Sequence, residues 1–321
     1  MRPKFEPPTS LRSLAFRQEG LVSSRQCDHI GVTMGMRRRL VDDRRWARVT
    51  TGVYDVEPAR DRRGEVDHRR RRSAWLGMLA YGPDAIAVGA CALALHDVRG
   101  LPTDVRPEVA LPGGAFGKSR DGMRVRQLSA VESTRFGERR IATLMCALLT
   151  ALPSLGREHA VAVLDDLTHR GRLSPGQMDA VRSRLRGGRD CADVPTWMSL
   201  VDGRSESPLE TFARIDCIDA GVPPDELQVV IRAPDGTFLG RGDMGWRLPR
   251  GRWLIAEIDG REFHDRPDAL LRDRARQNTL LIRGAITMLR FTHEDIGSVG
   301  RTVREALLLD REQPHERQTA G

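Results

Sequence analysis

A short apolar run that ends in two acids constrains this chain more than any other stretch. It reads Trp253-Leu-Ile-Ala-Glu257-Ile-Asp259 and closes at Gly260. Length, apolar content and the closing Gly predict a buried strand. Side chains alternate along a strand, so Glu257 and Asp259 share a face with Trp253 and Ile255, and Leu254, Ala256 and Ile258 take the other. Carboxylates two positions apart stand roughly 7 Å from each other and repel. At the end of an apolar strand they need a cation or a hydrogen-bond network to offset that cost. The preceding extended piece brings a third acid, Asp243. Three oxygen donors meeting at one spot make a hard site suited to Mg²⁺ or Mn²⁺.

The approach to this run is also legible. Ser207 followed by Pro208 and Glu210 predicts a helix with an N-cap Ser and a capping box closed by Glu210. Residues 227–231 and 238–243 read as strands around an Asp235-Gly236 turn, and Pro267-Asp268 starts an Arg-rich helix that Gly284 ends. A last strand over 285–291 and a terminal helix over 302–309 follow.

Taken in order, Glu210, Asp243, the Glu257-Ile258-Asp259-Gly260 run, His264 and the Arg272-Asp273-x-x-Arg276-x-Asn278 helix resemble one family. It is the very-short-patch-repair-type branch of the restriction-endonuclease-like, PD-(D/E)xK-like superfamily, and the resemblance covers residues 205–296. Asp259 stands where the wider superfamily carries Lys, and Gly242-Asp243-Met244 replaces the branch's Val-Asp-Phe/Leu. The resemblance implies an α/β/α mixed-sheet domain over 205–300 that hydrolyses DNA phosphodiesters. Asp243, Glu257 and Asp259 would hold Mg²⁺ or Mn²⁺, with Glu210 and His264 completing the catalytic set. Arg272 and Arg276, one helical turn apart, would clamp phosphate.

The N-terminal region carries a second pattern. Helices are expected over 11–20, 25–30 and 33–43, with Ser23 or Ser24 as an N-cap and Gly31 as a stop, followed by strand–turn–strand over 45–54. Three helices and a hairpin in this order predict a winged helix-turn-helix over 10–60, whose second paired helix enters the major groove. Arg37, Arg38 and Arg39 on that helix and Arg48 on the wing are the expected DNA contacts. The wing, Arg48-Val-Thr-Thr-Gly-Val-Tyr54, resembles the N-terminal domain of AbiEi-type antitoxins of type IV toxin–antitoxin systems. That resemblance implies a cognate toxin as partner and an antitoxin-like α+β domain over 61–155. A helical connector is expected over 156–204, and a C-terminal helix and loose tail over 301–321.

Several features need weighing. The run from Arg60 to Arg72 reads either as a phosphate-tracking helix end or as a solvated face. Residues 85–95 predict a buried Ala-rich helix with His96 after it, and 140–152 another helix. The loop at Gly113 to Ser119 lacks the spacing of a phosphate loop, so a hairpin between strands at 108–111 and 123–128 is expected. The net charge of +8 points to a nucleic-acid partner, double-stranded DNA given the helix-turn-helix pattern. Five scattered cysteines without a Cys-x-x-Cys pair, no run of about 18 apolar residues and no apolar leader segment predict a cytoplasmic protein with reduced thiols and no membrane span.

The expected fold is an α/β multidomain chain. Two functions stay open: metal-dependent DNA cleavage, or an antitoxin-like transcriptional regulator whose nuclease-like domain does no chemistry.

Overall fold

The computed structural model describes residues 5–60, 65–188, 191, 193–232, 236–259 and 286–312. His264, Arg272 and Arg276, with the Arg-rich helix expected after Pro267, lie outside the described residues. The chain is mixed α/β and divides into two units, one of Met1–Gly156 with Pro175–Pro195, the other of Arg157–Ser174 with Thr196–Gly321. The connector expected over 156–204 is thus shared between them. Among the described residues no helix is long and apolar enough to cross a membrane.

The first unit opens with α1 (Thr9–Arg17), β1 (Leu21–Ser23), α2 (Ser24–His29), α3 (Met34–Asp42), β2 (Ala47–Thr50) and β3 (Val53–Asp55). The strands form an antiparallel sheet in the order β1-β3-β2. Ser23 caps α2 in a full capping box with Gln26, which satisfies donors that the short helix would otherwise leave open. Thr33 caps α3 by accepting from the Met36 N–H. Leu11, Ala15, Val22, Cys27, Val32, Leu40 and Trp46 form the core of this segment.

The rest of the unit is α4 (Val66–Ala80), β4 (Ile86–Ala87), α5 (Gly89–Leu95), β5 (Glu108–Ala110), β6 (Arg124–Arg126), β7 (Ser133–Phe136), β8 (Arg139–Ala142), α6 (Leu144–Ala151) and α8 (Pro175–Leu185). Its sheet runs β6-β5-β4-β8-β7. Four expectations change here. β5 and β6 pair in parallel, Glu108 beside Arg124, so the Gly-rich loop does not make a hairpin. The expected 85–95 helix gives its first residues to a strand, β4, and the 140–152 helix begins only after Thr143, whose side chain accepts from the Cys146 N–H. The Arg run on α4 is neither a solvated face nor a phosphate track. His68 and Arg71 hold the Glu19 carboxylate, Arg72 bonds the Glu19 carbonyl and Asp55, and Arg70 bonds the carbonyls of Leu101 and Pro102. Acids spaced far along the chain turn a basic run into a clamp between α4 and its neighbours.

The second unit contains α7 (Arg157–His169), α10 (Pro208–Asp219), β9 (Glu226–Arg232), β10 (Phe238–Arg247), β11 (Trp253–Asp259), β12 (Ile286–Thr292) and α11 (Val299–Glu312), with the one-turn α9 (Val194–Trp197) at the boundary. The sheet order is β12-β11-β10-β9, with β9, β10 and β11 antiparallel and β12 parallel to β11. Leu254, Ala256 and Ile258 join Met244, Trp246, Ala213, Val299 and Val303 in a core beneath α10 and α11. Ile255 packs on the opposite face with Val229, Ile231 and Trp253. The alternation read from the run is therefore the alternation observed. A buried ion pair fixes α10 to α7: Asp165 accepts from Arg214 Nη2 and Thr211 Oγ1, each at 2.7 Å, and from the Asp202 N–H. Burial pushes the Asp165 carboxyl up and Arg214 pulls it back.

Candidate functional site

The acids of the second unit gather where the β10–β11 ladder stops. The last backbone pair in that direction is Met244 opposite Ala256. One residue further, Asp243 Oδ2 accepts the Ile258 N–H at 2.7 Å, so a carboxylate takes the place of a ladder carbonyl. Close approach is possible because the neighbouring positions are glycine. A Cβ on Gly242 would lie 2.2 Å from Ile255 Cγ2, and one on Gly245 would lie 2.6 Å from Val229 Cγ2.

Glu210 reaches the same place from α10. Ser207 caps the helix by accepting the Glu210 N–H at 3.2 Å, as the sequence predicts. The return arm differs from a closed box: Glu210 Oε2 accepts the Glu206 N–H at 2.9 Å and Gln228 Nε2 at 2.9 Å. Its side chain reaches the residue before the cap and, across to β9, Gln228. Gln228 adopts a left-handed φ of 55° within β9. That turn of the backbone sends Leu227 to one core and Val229 to the other although they are two apart. The Gln228 Oε1 atom is buried with no hydrogen-bond partner among the described residues.

The electrostatics follow from this crowding. The Asp243 carboxyl is pushed up to about 6, first by burial, then by the charges of Glu210 and Asp259, with the Ile258 N–H and Arg241 opposing. Burial also raises Glu210, against the pull of the Glu206 and Ser207 hydrogen bonds. Arg241 holds Glu206 through both carboxylate oxygens at 2.8 Å. Glu257 carries its own counter-charge: its register partner on β12 is Arg290, which bonds Glu257 Oε2 at 3.0 Å. Asp243, Asp259 and Glu210 thus share one field, and Glu257, expected with Asp243 and Asp259 as a ligand trio, is paired with Arg290. Among the described residues no group of three His, Cys, Asp or Glu side chains is set to cage a metal. Asp243 and Asp259 carry oxygens of the type that hard divalent ions accept, as such ions take one or two carboxylates and keep waters. Gln228, Arg241 and Arg290 were not singled out from sequence. Only their polarity within apolar strands marked them.

In the first unit, the three consecutive arginines of α3 do not act alike. Arg37 is 5% exposed and bonds the Val32 and Ser24 carbonyls and Asp28, with Tyr54 beneath its guanidinium at 5.9 Å. A helix turns about 100° per residue, so three in a row cannot share one face. The expectation that Arg37 faces DNA is corrected: it joins α3 to α2. Arg38 is 84% exposed, 4.0 Å from Asp42, and Arg39 is exposed. Arg48 on β2 is exposed and bonds Thr51 at 3.2 Å. Met34, at the start of α3, is 75% exposed.

No known family profile matches the chain. It is 34% identical over 122 residues to Uncharacterized protein MT2308 of Mycobacterium tuberculosis (strain CDC 1551 / Oshkosh), and equally to Uncharacterized protein Rv2248 of strain ATCC 25618 / H37Rv. The match takes in 38% of this chain and 44% of each relative, so less than half of the relatives' length is spanned.

Proposed function

We propose that this is a DNA-binding protein whose second unit hydrolyses DNA phosphodiesters with a divalent ion. The observation that carries the reading is Asp243, held at the end of a ladder in the field of Asp259 and Glu210 with its pKa raised to about 6. Like charges gathered in a half-buried place are costly in isolation and are offset by a bound cation. The order α10–β9–β10–β11–β12, with β11 and β12 parallel, supports a restriction-endonuclease-like core. The order α1–β1–α2–α3–β2–β3 with sheet order β1-β3-β2 supports a winged helix-turn-helix.

A bound Mg²⁺ or Mn²⁺ supplies Lewis-acid stabilisation of phosphate charge and an acidified water. Asp243 and Asp259 present the oxygens that would hold it. Glu210 orients the Gln228 amide, and Arg290 positions Glu257. In the family resemblance, His264 serves as general acid or base and Arg272 and Arg276 clamp phosphate. On the first unit, Arg38, Arg39 and Arg48 contact the duplex.

The test is nicking of supercoiled plasmid with Mg²⁺ or Mn²⁺ by the full chain, Asp243→Ala and Glu257→Ala. Wild-type nicking that Asp243→Ala abolishes supports the reading. Equal inactivity of all three proteins removes the nuclease and leaves the second reading. That second reading is an antitoxin-like transcriptional regulator with a cognate toxin, and two observations favour it: the Glu257–Arg290 pair, and Asp259 in the position of the superfamily Lys.

A further inference from the structure

We infer that a groove in the first unit binds a phosphate group borne on an organic carrier. This inference is independent of the nuclease reading. The groove has a volume of about 890 Å³ and is lined by Arg17 of α1, Arg25 and His29 of α2, and Arg139 at the start of β8 with Glu138 just before it, with Leu14 and Leu79 among its apolar walls. That volume suits a nucleotide-sized ligand, which fills pockets of about 300–1,000 Å³.

Arg139 is the residue that points to an anion. It is only 9% exposed, and its Nη1 donates to the Gly82 carbonyl at 2.7 Å. Among the described residues no carboxylate forms an ion pair with it, although Glu138 and Asp84 act on it from further away. A guanidinium stays charged at neutral pH, and removing it from water without a counter-charge is costly. Burial lowers its pKa, and the Arg25 charge lowers it further against Glu138 and Asp84. Arg25 also forms no ion pair among the described residues, so two guanidinium groups line the groove with the exposed Glu138 carboxylate, which pairs with neither of them.

The chemistry selects a phosphate. With Nη1 engaged, Nε and Nη2 of Arg139 remain as a planar fork of the kind that accepts two oxygens of one anion. A doubly charged group offsets the mutual repulsion of Arg139 and Arg25 better than a single carboxylate does. Ser24 and Thr51 add hydroxyl donors at the rim, and Leu14 and Leu79 offer an apolar surface to the body that carries the phosphate. Phosphate reaches such a groove from two sources, a free phosphorylated small molecule or a nucleic-acid backbone.

The experiment uses the full chain, with Arg139→Gln and Arg25→Gln. Calorimetric titrations with AMP and with inorganic phosphate at low salt are run beside duplex-DNA gel shifts of the same proteins. AMP is expected to bind the wild type, about tenfold more weakly to Arg25→Gln, and not measurably to Arg139→Gln. Circular dichroism checks that Arg139→Gln is folded. Should it not fold, Arg25→Gln decides, because that side chain is exposed. Unchanged DNA affinity in the variants assigns the groove to a free phosphate compound. Lowered DNA affinity, with AMP competing, assigns it to a backbone phosphate. Absence of AMP and phosphate binding together with unchanged DNA affinity, or equal AMP binding by all three proteins, overturns the inference.

Discussion

Asp243 gives the sharpest quantitative expectation. Its carboxyl is raised from 3.8 to about 6 in the folded protein. The folded state therefore binds the proton more tightly than the unfolded state. Stability from this group is fully present below pH 3.8 and is lost as pH rises through about 6. Each pKa unit is worth about 1.4 kcal/mol, so the loss totals about 3 kcal/mol by neutral pH. Asp243→Asn removes the charge and keeps an oxygen to accept the Ile258 N–H. In metal-free buffer the variant should exceed the wild type by up to about 3 kcal/mol near pH 8, and the gap should close near pH 4. Urea denaturation across pH, followed by tryptophan fluorescence, measures it. Adding Mg²⁺ should narrow the gap at neutral pH, because binding to the native carboxylate stabilises only the wild type. A variant no more stable than the wild type at high pH, or a gap independent of pH, refutes the reasoning.

Two further outcomes follow from the packing. Gly242→Ala places a methyl group against Ile255 and should destabilise the chain by about 1–3 kcal/mol in the same denaturation assay, with activity lost in proportion to the displacement of Asp243. Arg37→Ala should cost about 2 kcal/mol of stability because it vacates a buried site and frees the Val32 and Ser24 carbonyls, whereas Arg38→Ala and Arg39→Ala should leave the melting midpoint within error and weaken duplex binding in a gel shift.

What the sequence disclosed, and what it hid, depends on the range of each interaction. The alternation of the Trp253–Asp259 strand is local, and it holds in both cores. The Ser207 cap is also local, and the Glu210 N–H meets it as expected. The return arm of Glu210 was not legible, because Gln228 approaches from a different strand and only pairing brings the two together. The partnership of Glu257 with Arg290 has the same origin, since parallel pairing fixes it across a gap of 33 residues. Arg37 could have been separated from Arg38 and Arg39 by helical periodicity alone. The α4 arginines could not, because Glu19 and Asp55 lie in another segment. The parallel pairing of β5 and β6 was hidden because strand direction is set by the crossover and not by the glycines between them.

The two-residue strand Ile86–Ala87 holds the middle of a five-stranded sheet, with β5 on one side and β8 on the other. Mechanically, the sheet is two narrow ribbons riveted at a single link. Tension pulling those ribbons apart would concentrate on that rivet, and the surrounding helices would have to bear whatever load it could not.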